Sequence, residues 1–362
     1  MKFAFVLDPL DSIHTYKDST FAVMREAARR GHAVHAMQQA DIALSRGRVM
    51  GSATALKLTG KVVEGSGWYE STGIADTPLA DFGLVMMRKD PPFNMEYVYT
   101  TYLLEQAERE GARVFNSPRA IRDHNEKFAI AEFTQFCAPF LVTRDADRLK
   151  EFVMEQGEAV LKPLDGMGGV SIYRVSPDER NLNVIIENLT DLGRATVMAQ
   201  RFIPEITEGD KRILLIGGKP VPHCLARIPK KGETRGNLAA GGTGIARPLT
   251  PRDREIANAL APVLAARGLI LVGLDVIGDF LTEINVTSPT CIQEIQQQIR
   301  SHRVLKVRLL DDAIDKATAI LLGDPAIRQV ESYDHTINAE FEGLDEDMAR
   351  LLARLVSSGI AV

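Results

Sequence analysis

AVLKPLDGMGGVSIYRV, residues 159–175, reads as an apolar strand, a glycine-rich loop and a second strand. Gly166, Gly168 and Gly169 let backbone N–H groups approach phosphate oxygens closely and form an anion nest. The Walker and dinucleotide phosphate loops run from a strand into a helix. Here no Gly-Lys-Ser/Thr follows, and the next segment is a strand. The loop therefore joins two antiparallel strands as a flap. Taken alone it reads first as a plain hairpin turn, because glycine-rich hairpins are common. Lys162 lies on the strand entering the loop, among apolar neighbours. A buried ammonium needs a partner, and either a nucleotide phosphate or a structural carboxylate would serve.

Outward from this loop the middle of the chain keeps a hairpin grammar. VMAQRFI (197–203) reads as a strand. RILLIGGKPVPHCLARI (212–228) reads as a hairpin about Gly217 and Gly218, and LVGLDVIGDFLTEINV (271–286) as another about Gly278 and Asp279. A helix over 251–266 opens at Pro251 after Thr250. Upstream, strands at FAFVL (3–7), AVHAM (33–37), GLVMM (83–87) and RVFN (113–116) alternate with helices. One helix runs from a Ser19 or Thr20 cap to Gly31, another over 96–110 to Gly111. That alternation predicts a parallel, Rossmann-like sheet covered by helices, with DPLDS (8–12) and RKDPPF (88–93) at the carboxyl ends where ligands bind. The fold class is thus α/β followed by α+β, with boundaries near 123/124 and 300/301. The tail 301–362 reads strand, helix, strand, strand, helix, strand, the β-α-β-β-α-β order of a small ferredoxin-like module.

Glu283 and Asn285 are two apart on one strand and share a face. Their oxygens suit Mg²⁺, which takes few protein ligands and keeps phosphate oxygens in its shell. Asp275 joins that face only if the intervening turn has an odd residue count; a two-residue Gly-Asp turn puts it on the other face. A solvated polar face is the plainer reading, but this hairpin is otherwise strongly apolar. ARIPKKGETRGNLAAGGTG (226–244) is too polar and glycine-rich for a core and reads as a long loop or lid. Its Arg227 and Arg235 could clamp carboxylates or phosphates. His32 and His35 lack a metal-ligand context. No G-x-S-x-G elbow or C-x-x-C pair is present, and Cys291 reads as structural.

Composition narrows the class further. The chain has 362 residues, 45% hydrophobic and 25% charged, with net charge -5. This excludes a wholly disordered chain and a collagen, and it supplies no basic excess for nucleic acid. Three scattered cysteines make neither a disulfide framework nor a zinc cluster, which fits a reducing cytoplasm. The apolar start MKFAFVLDPL is stopped by Asp8 and Pro9 before a signal core is complete. The most apolar later stretch, 260–278, is broken by Arg267 and Asp275, so no membrane span is expected.

With these residues in hand the chain, from residue 1 to about 295, resembles the bacterial glutathione synthetases, ATP-grasp ligases. The resemblance rests on RKDPPF (88–93), NEKF (125–128), LKPLDGMGG (161–169), MAQ (198–200), EGDKR (208–212), PVPHCLARIP (220–229), GETRGNLAAGG (232–242) and VGLDVIGDFLTEINVTSPTCI (272–292). It implies an N-terminal substrate-binding domain (1–123), then an ATP-grasp domain (124–300) whose flap part is about 127–200. It implies ligation of γ-glutamylcysteine to glycine with ATP and Mg²⁺ or Mn²⁺, in a cytoplasmic homotetramer. Lys127 and Lys162 would contact ATP phosphates, with Gly166, Gly168 and Gly169 closing over them. Gln200, Phe202 and Ile203 would line the adenine slot, and Asp210 would sit near the ribose. Asp275, Glu283 and Asn285 would hold the metal. Arg212, Arg227, Arg235 and Ser288 would face the peptide and the acyl phosphate, with Arg88 and Asp18 contributed by the N-terminal domain. Two departures stand out. Thr243 occupies a position where the closest relatives would carry arginine, and the tail replaces a short helical ending. That tail loosely resembles an accessory segment of ABC-type transporter ATPases. Two other readings stay open: a ligase of the same fold with another acceptor, and a nucleotide-binding scaffold without turnover.

Overall fold

β1 (Lys2–Val6) lies in the middle of a sheet, which is why its sequence is almost wholly apolar. It pairs in parallel with β2 (Ala33–Met37), reached through α1 (Ser19–Arg29). The carboxylate of Asp18, rather than Ser19 or Thr20, caps α1 by accepting the Phe21 N–H at 2.7 Å. A long hairpin follows: β3 (Ile42–Ser45), β4 (Arg48–Leu58) and β5 (Tyr69–Pro78). The chain then returns as β6 (Leu84–Met87), parallel to β1, crosses over α2 (Met95–Arg109) and adds β7 (Val114–Phe115), parallel to β6. The sheet order is β3-β4-β2-β1-β6-β7, with β5 on the far edge of β4. The parallel core matches expectation, but the sheet is mixed because β4 runs antiparallel to β2, β3 and β5. The computed structural model describes residues 1–61, 65–230, 232–233, 235–236, 238, 241–300, 303–308, 314–322, 327–333, 336–341, 350–351 and 354.

α3 (Pro118–Asp123) and a kinked 3₁₀ stretch (Phe128–Phe136) lead into the second half. A four-stranded sheet is built from β8 (Phe140–Thr143), β9 (Ala159–Pro163), β10 (Tyr173–Val175) and β11 (Val197–Arg201), in the order β10-β9-β11-β8. Two amphipathic helices, α4 (Ala146–Gln156) and α5 (Leu182–Leu189), cover it, and Leu149, Phe152, Val153 and Ile186 enter its core. A five-stranded antiparallel sheet follows, from β12 (Asp210–Ile216), β13 (Lys219–Ile228), β14 (Thr243–Pro248), β15 (Leu271–Ile277) and β16 (Phe280–Asn285). Its order is β14-β13-β12-β15-β16. α6 (Pro251–Ala266) packs on this sheet and opens with a reciprocal capping box between Thr250 and Asp253. Both predicted hairpins are present at their predicted turns.

One apolar core runs from Val6, Val85 and Met87 through Leu104, Ile121 and Ile130 to Leu260, Val272 and Ile284. It joins the N-terminal sheet to the last one, and Met1–Gln293 forms one compact unit. Asn116, just past β7, crosses this junction. Its amide nitrogen donates to the Leu271 and Val286 carbonyls, each at 2.8 Å, and its oxygen accepts from Ile270 and Leu271 N–H groups at 2.8 and 2.9 Å. All four bonds are buried or nearly so. Asn116→Ala strands four backbone groups, and unfolding in urea is expected to show a loss of about 3 kcal/mol.

The second unit, Glu294–Val362, holds most of α7 (Ile292–Arg300), then β17 (Arg303–Arg308), α8 (Ile314–Leu322), β18 (Ile327–Tyr333) and β19 (Thr336–Phe341). Its strands are antiparallel in the order β17-β19-β18. The first four predicted elements of the tail are therefore present; the predicted last helix and strand lie largely outside the described residues. Among the described residues no helix is long and apolar enough to cross a membrane.

Candidate active site

Three adjacent strands of the five-stranded sheet carry a ladder of opposite charges. Asp210 on β12 stands opposite Arg227 on β13, and Arg212 on β12 stands opposite Asp275 on β15. Arg212 binds Asp275 in a fork, Nε to Oδ1 at 2.5 Å and Nη2 to Oδ2 at 3.0 Å. Arg227 reaches Asp210 at 2.5 Å and the same Asp275 carboxylate at 2.9 Å. Gly273 makes room for this, since a Cβ there would lie 2.8 Å from the Arg212 Cδ. Burial opposes charge on Asp275, but the two guanidiniums outweigh it and hold the carboxyl well below its ordinary range. Burial raises the Asp210 carboxyl; Arg227 offsets part of that, and the Asp275 charge adds to it. Asp210 Oδ1 is buried with no hydrogen-bond partner among the described residues, an open acceptor at the cavity wall.

The β15–β16 hairpin settles the face question. Its turn has two residues, Gly278 and Asp279, with Ile277 opposite Phe280. A bulge after Val276–Leu281 then leaves Thr282 unopposed and restores Asp275 to a position opposite Glu283. Asp275, Glu283 and Asn285 consequently share one side, while Val276, Leu281 and Ile284 stay in the core. Thr282 donates its hydroxyl to the Asp275 carbonyl at 3.1 Å.

The glycine-rich flap meets this ladder from the other sheet. β9 and β10 pair antiparallel across the loop, and Gly166, Gly168 and Gly169 have φ of 113°, 68° and 80°. Those left-handed values are what the three glycines are there to permit. Lys162, only 4% exposed, extends from β9 to Glu283 Oε1 at 3.1 Å. Both readings of Lys162 thus survive: its partner is a carboxylate, and that carboxylate is the candidate metal ligand. Burial opposes charge on Glu283, but Lys162 and Lys127 hold its carboxyl below the ordinary range. Lys127 donates to the Gly166 carbonyl at 2.9 Å, and Arg235 reaches the Gly169 carbonyl at 3.4 Å while pairing with Glu233 at 2.6 Å.

Two chambers lie between flap and ladder. The first, about 920 Å³ with its open mouth, is lined at one end by Val160, Ile172, Gln200, Phe202, Ile203 and Ile206. Arg174 lies over the Phe202 ring at 3.9 Å and pairs with Glu158 at 2.6 Å. Towards the charged end the walls are Lys127, Lys162, the flap glycines, Asp210, Asp275 and Glu283. The second chamber, about 810 Å³ with its open mouth, shares Gly166, Gly168, Asp275 and Glu283 with the first and adds Arg212, Arg227, Asn285 and Ser288. A mainly apolar end, a charged throat of both signs and a polar pocket adjoin, which suits a base, its phosphates with a metal ion, and a second polar molecule.

Asp18 and Arg88 line neither chamber. Asp18 caps α1, and the buried Arg88 donates to Thr20 at 3.1 Å and to the Pro289 carbonyl at 2.9 Å. Two side chains at the site escaped the sequence reading. Glu126 accepts at one oxygen from Val286 N–H, Thr287 N–H and the Thr287 hydroxyl, within 3.0 Å. Asp90 accepts from the Ser288 hydroxyl. Both sit inside motifs already singled out, NEKF and RKDPPF, and the signal missed was a carboxylate flanked by apolar or cationic residues.

A metal would find hard oxygen donors here. Among the described residues no three His, Cys, Asp or Glu side chains form a ready-made metal centre. Mg²⁺ does not require one, because phosphates complete its shell. Asn285 ties its amide nitrogen to the Gly273 carbonyl at 3.2 Å, leaving its oxygen to offer beside Glu283. The donor set fits a hard divalent cation.

Comparison with known proteins adds the family. The model described as prokaryotic glutathione synthetase, N-terminal domain, matches residues 1–122, and that of the ATP-grasp domain matches 126–300. The glutathione synthetase of Ralstonia nicotianae is 62% identical over 298 residues, covering 82% of this chain and 91% of its own. That of Nitrosomonas europaea is 60% identical over 298 residues, covering 82% and 93%. Among solved structures, a D-cycloserine synthetase aligns with TM-score 0.57 at 16% identity over 80% of this chain and 92% of its own, a likeness of fold.

Proposed function

The chain belongs to the prokaryotic glutathione synthetase family, and on that premise we propose how its residues divide the work of the ligation. The activity is the ATP-dependent ligation that makes glutathione from small-molecule substrates. A carboxylate resists attack by an amine because its charge repels the incoming electron pair. Transfer of a phosphoryl group from ATP to the cysteinyl carboxylate of γ-glutamylcysteine gives an acyl phosphate with a good leaving group. Glycine's amine then displaces phosphate.

The apolar slot of Val160, Ile172, Gln200, Phe202 and Ile203 takes the adenine, with Asp210's open oxygen accepting from a ribose hydroxyl. Lys127 and Lys162 face the phosphates, and the flap N–H groups of Gly166, Gly168 and Gly169 close over them. Arg212 and Arg227, already locked in place by Asp275, present fixed positive charge where charge develops in the transition state. Arg235 closes the wall beside Gly169. Ser288 faces the peptide, while Arg88 and Asp18 act from behind by holding the Pro289 carbonyl and the start of α1. Asp275, Glu283 and Asn285 would hold Mg²⁺ or Mn²⁺, which when bound offsets charge on the phosphoryl oxygens. Excluding water protects the acyl phosphate. No protein nucleophile is needed.

The matched ranges support a division at about 123 and 300 into substrate-binding, ATP-grasp and tail parts. The motif likeness supports a cytoplasmic homotetramer. The observation that carries the residue assignment is the 3.1 Å contact from Lys162 to Glu283, which brings flap and ladder to one point between two chambers. Phosphate release with ATP, magnesium and γ-glutamylcysteine is expected to require glycine for sustained turnover. Sustained release with a different amine in place of glycine points to another ligase of this fold, and ATP binding with no release points to a scaffold.

A further inference from the structure

Ligation needs a group the assignment above leaves out. Glycine is an ammonium ion at neutral pH, and an ammonium has no lone pair. We propose that Asp90 accepts the proton that turns this ammonium into the attacking amine. The inference rests on the acyl-phosphate reading given above.

Among the described residues four carboxylates line the second chamber: Asp90, Glu126, Asp275 and Glu283. Asp275 is gripped by Arg212 and Arg227, and Glu283 by Lys162, so either would have to break a buried ion pair to take a proton. Glu126 spends one oxygen on three donors that fix the segment leaving β16. Asp90 differs. Among the described residues its carboxylate takes one hydrogen bond, from the Ser288 hydroxyl, and makes no ion pair. A hydroxyl can rotate and exchange donor for acceptor, so protonating Asp90 costs no fixed contact.

Its surroundings suit a base. The Asp90 N–H is held by Asp8 Oδ2 at 2.9 Å, and Asp8 pairs with Lys89 at 2.7 Å, so the residue is fixed at the carboxyl ends of β1 and β6. The groups around it are Asp8 and Lys89 from these two loops, Arg88 at the end of β6, Asp18 at the cap of α1, Tyr97 on α2 and Ser288 after β16. Burial raises the Asp90 carboxyl, Ser288 and Arg88 lower it, and Asp8 and Asp18 add to the rise. A carboxylate raised in this way is a better proton acceptor near neutral pH.

The step balances as follows. The ammonium gives one proton to an Asp90 oxygen. The freed lone pair forms the C–N bond at the acyl carbon, the C–O bond to phosphate breaks, and phosphate leaves with that electron pair. The second N–H proton goes with the phosphate, and Asp90 returns its proton to water.

Hydroxylamine tests this, because it is largely unprotonated at neutral pH and captures an acyl phosphate as a hydroxamate without a base. With ATP, magnesium and γ-glutamylcysteine, Asp90→Asn is expected to form hydroxamate within about threefold of the native rate. Its glycine transfer is expected to fall by about a hundredfold or more, and to climb with pH as free glycine amine accumulates. Asp90→Glu, which keeps a carboxylate, is expected to recover part of the transfer. The proposal is overturned if Asp90→Asn loses both reactions together, which marks a structural role. It is equally overturned if only the KM for glycine rises while kcat and its pH profile hold, which marks an anchoring site. No hydroxamate from the native enzyme overturns the acyl-phosphate reading itself, and this inference with it.

Discussion

Asp275→Asn is expected to lower unfolding stability by about 4 kcal/mol and to abolish ligation. Asp275 is 3% exposed and neutralises two guanidiniums, Arg212 and Arg227, that have 6% and 4% exposure. An asparagine keeps the size and one acceptor but removes the charge. Arg227 then keeps the Asp210 carboxylate, and Arg212 is left without an acidic partner among the described residues. Breaking a buried pair from one side costs roughly 3–5 kcal/mol because the partner is left uncompensated. In a thermal melt this appears as a fall of roughly 10 °C in the main transition. The native carboxyl is held below its ordinary range, so its contribution is complete above the unfolded value near pH ~4 and fades as pH falls further. The stability gap between native and variant should therefore narrow on acidification below that point. A gap that is constant across this window would show that Asp275 does not carry the ladder.

Glu283→Gln is the second large effect, and its signature is different. The carboxylate is the counter-ion of Lys162 and a candidate metal ligand at once. The variant keeps the strand and its register, so the fold persists. ATP-dependent phosphate release is expected to fall by about 10²–10³, the scale seen when one preorganised electrostatic contact is lost. Without nucleotide, Lys162 is buried with no counter-charge, and the protein should be less stable than native. Phosphates would supply the missing charge. The melting temperature of Glu283→Gln should thus rise more than that of the native protein when a non-hydrolysable ATP analogue is added without metal. Unchanged turnover in this variant would remove Glu283 from the site.

How much of this was legible in the sequence follows from what each feature depends on. The two hairpins were readable because Gly217-Gly218 and Gly278-Asp279 punctuate continuous apolar runs. The flap was readable because its glycines cluster and a strand, not a helix, follows. β4 and β5 were not, since β4 alternates through the small Gly51 and Ala53 rather than large apolar residues, and β5 is mostly exposed. β4 is a strand because it pairs with β2, β3 and β5, and β5 because it pairs with β4. The Arg212–Asp275 and Asp210–Arg227 pairs were hidden for another reason: they depend on which strands are neighbours, a property of topology rather than of spacing. The sequence made the face of Asp275 a matter of turn length alone; the two-residue turn would have put it on the other face, and the bulge at Thr282, which no spacing announced, restores it. The substrate entered through whole motifs, since a phosphate-binding ribbon beside an acidic strand specifies nucleotide chemistry without specifying an acceptor.

Asn116 has a dynamic consequence. Its four bonds fasten the segment after β7 to both β15 and the exit of β16. Prying the two halves apart at this seam would strip four main-chain groups of their partner simultaneously, so the seam is a poor place for breathing. Motion that admits substrate is therefore expected in the ribbon over 164–172, between β9 and β10, rather than at this seam.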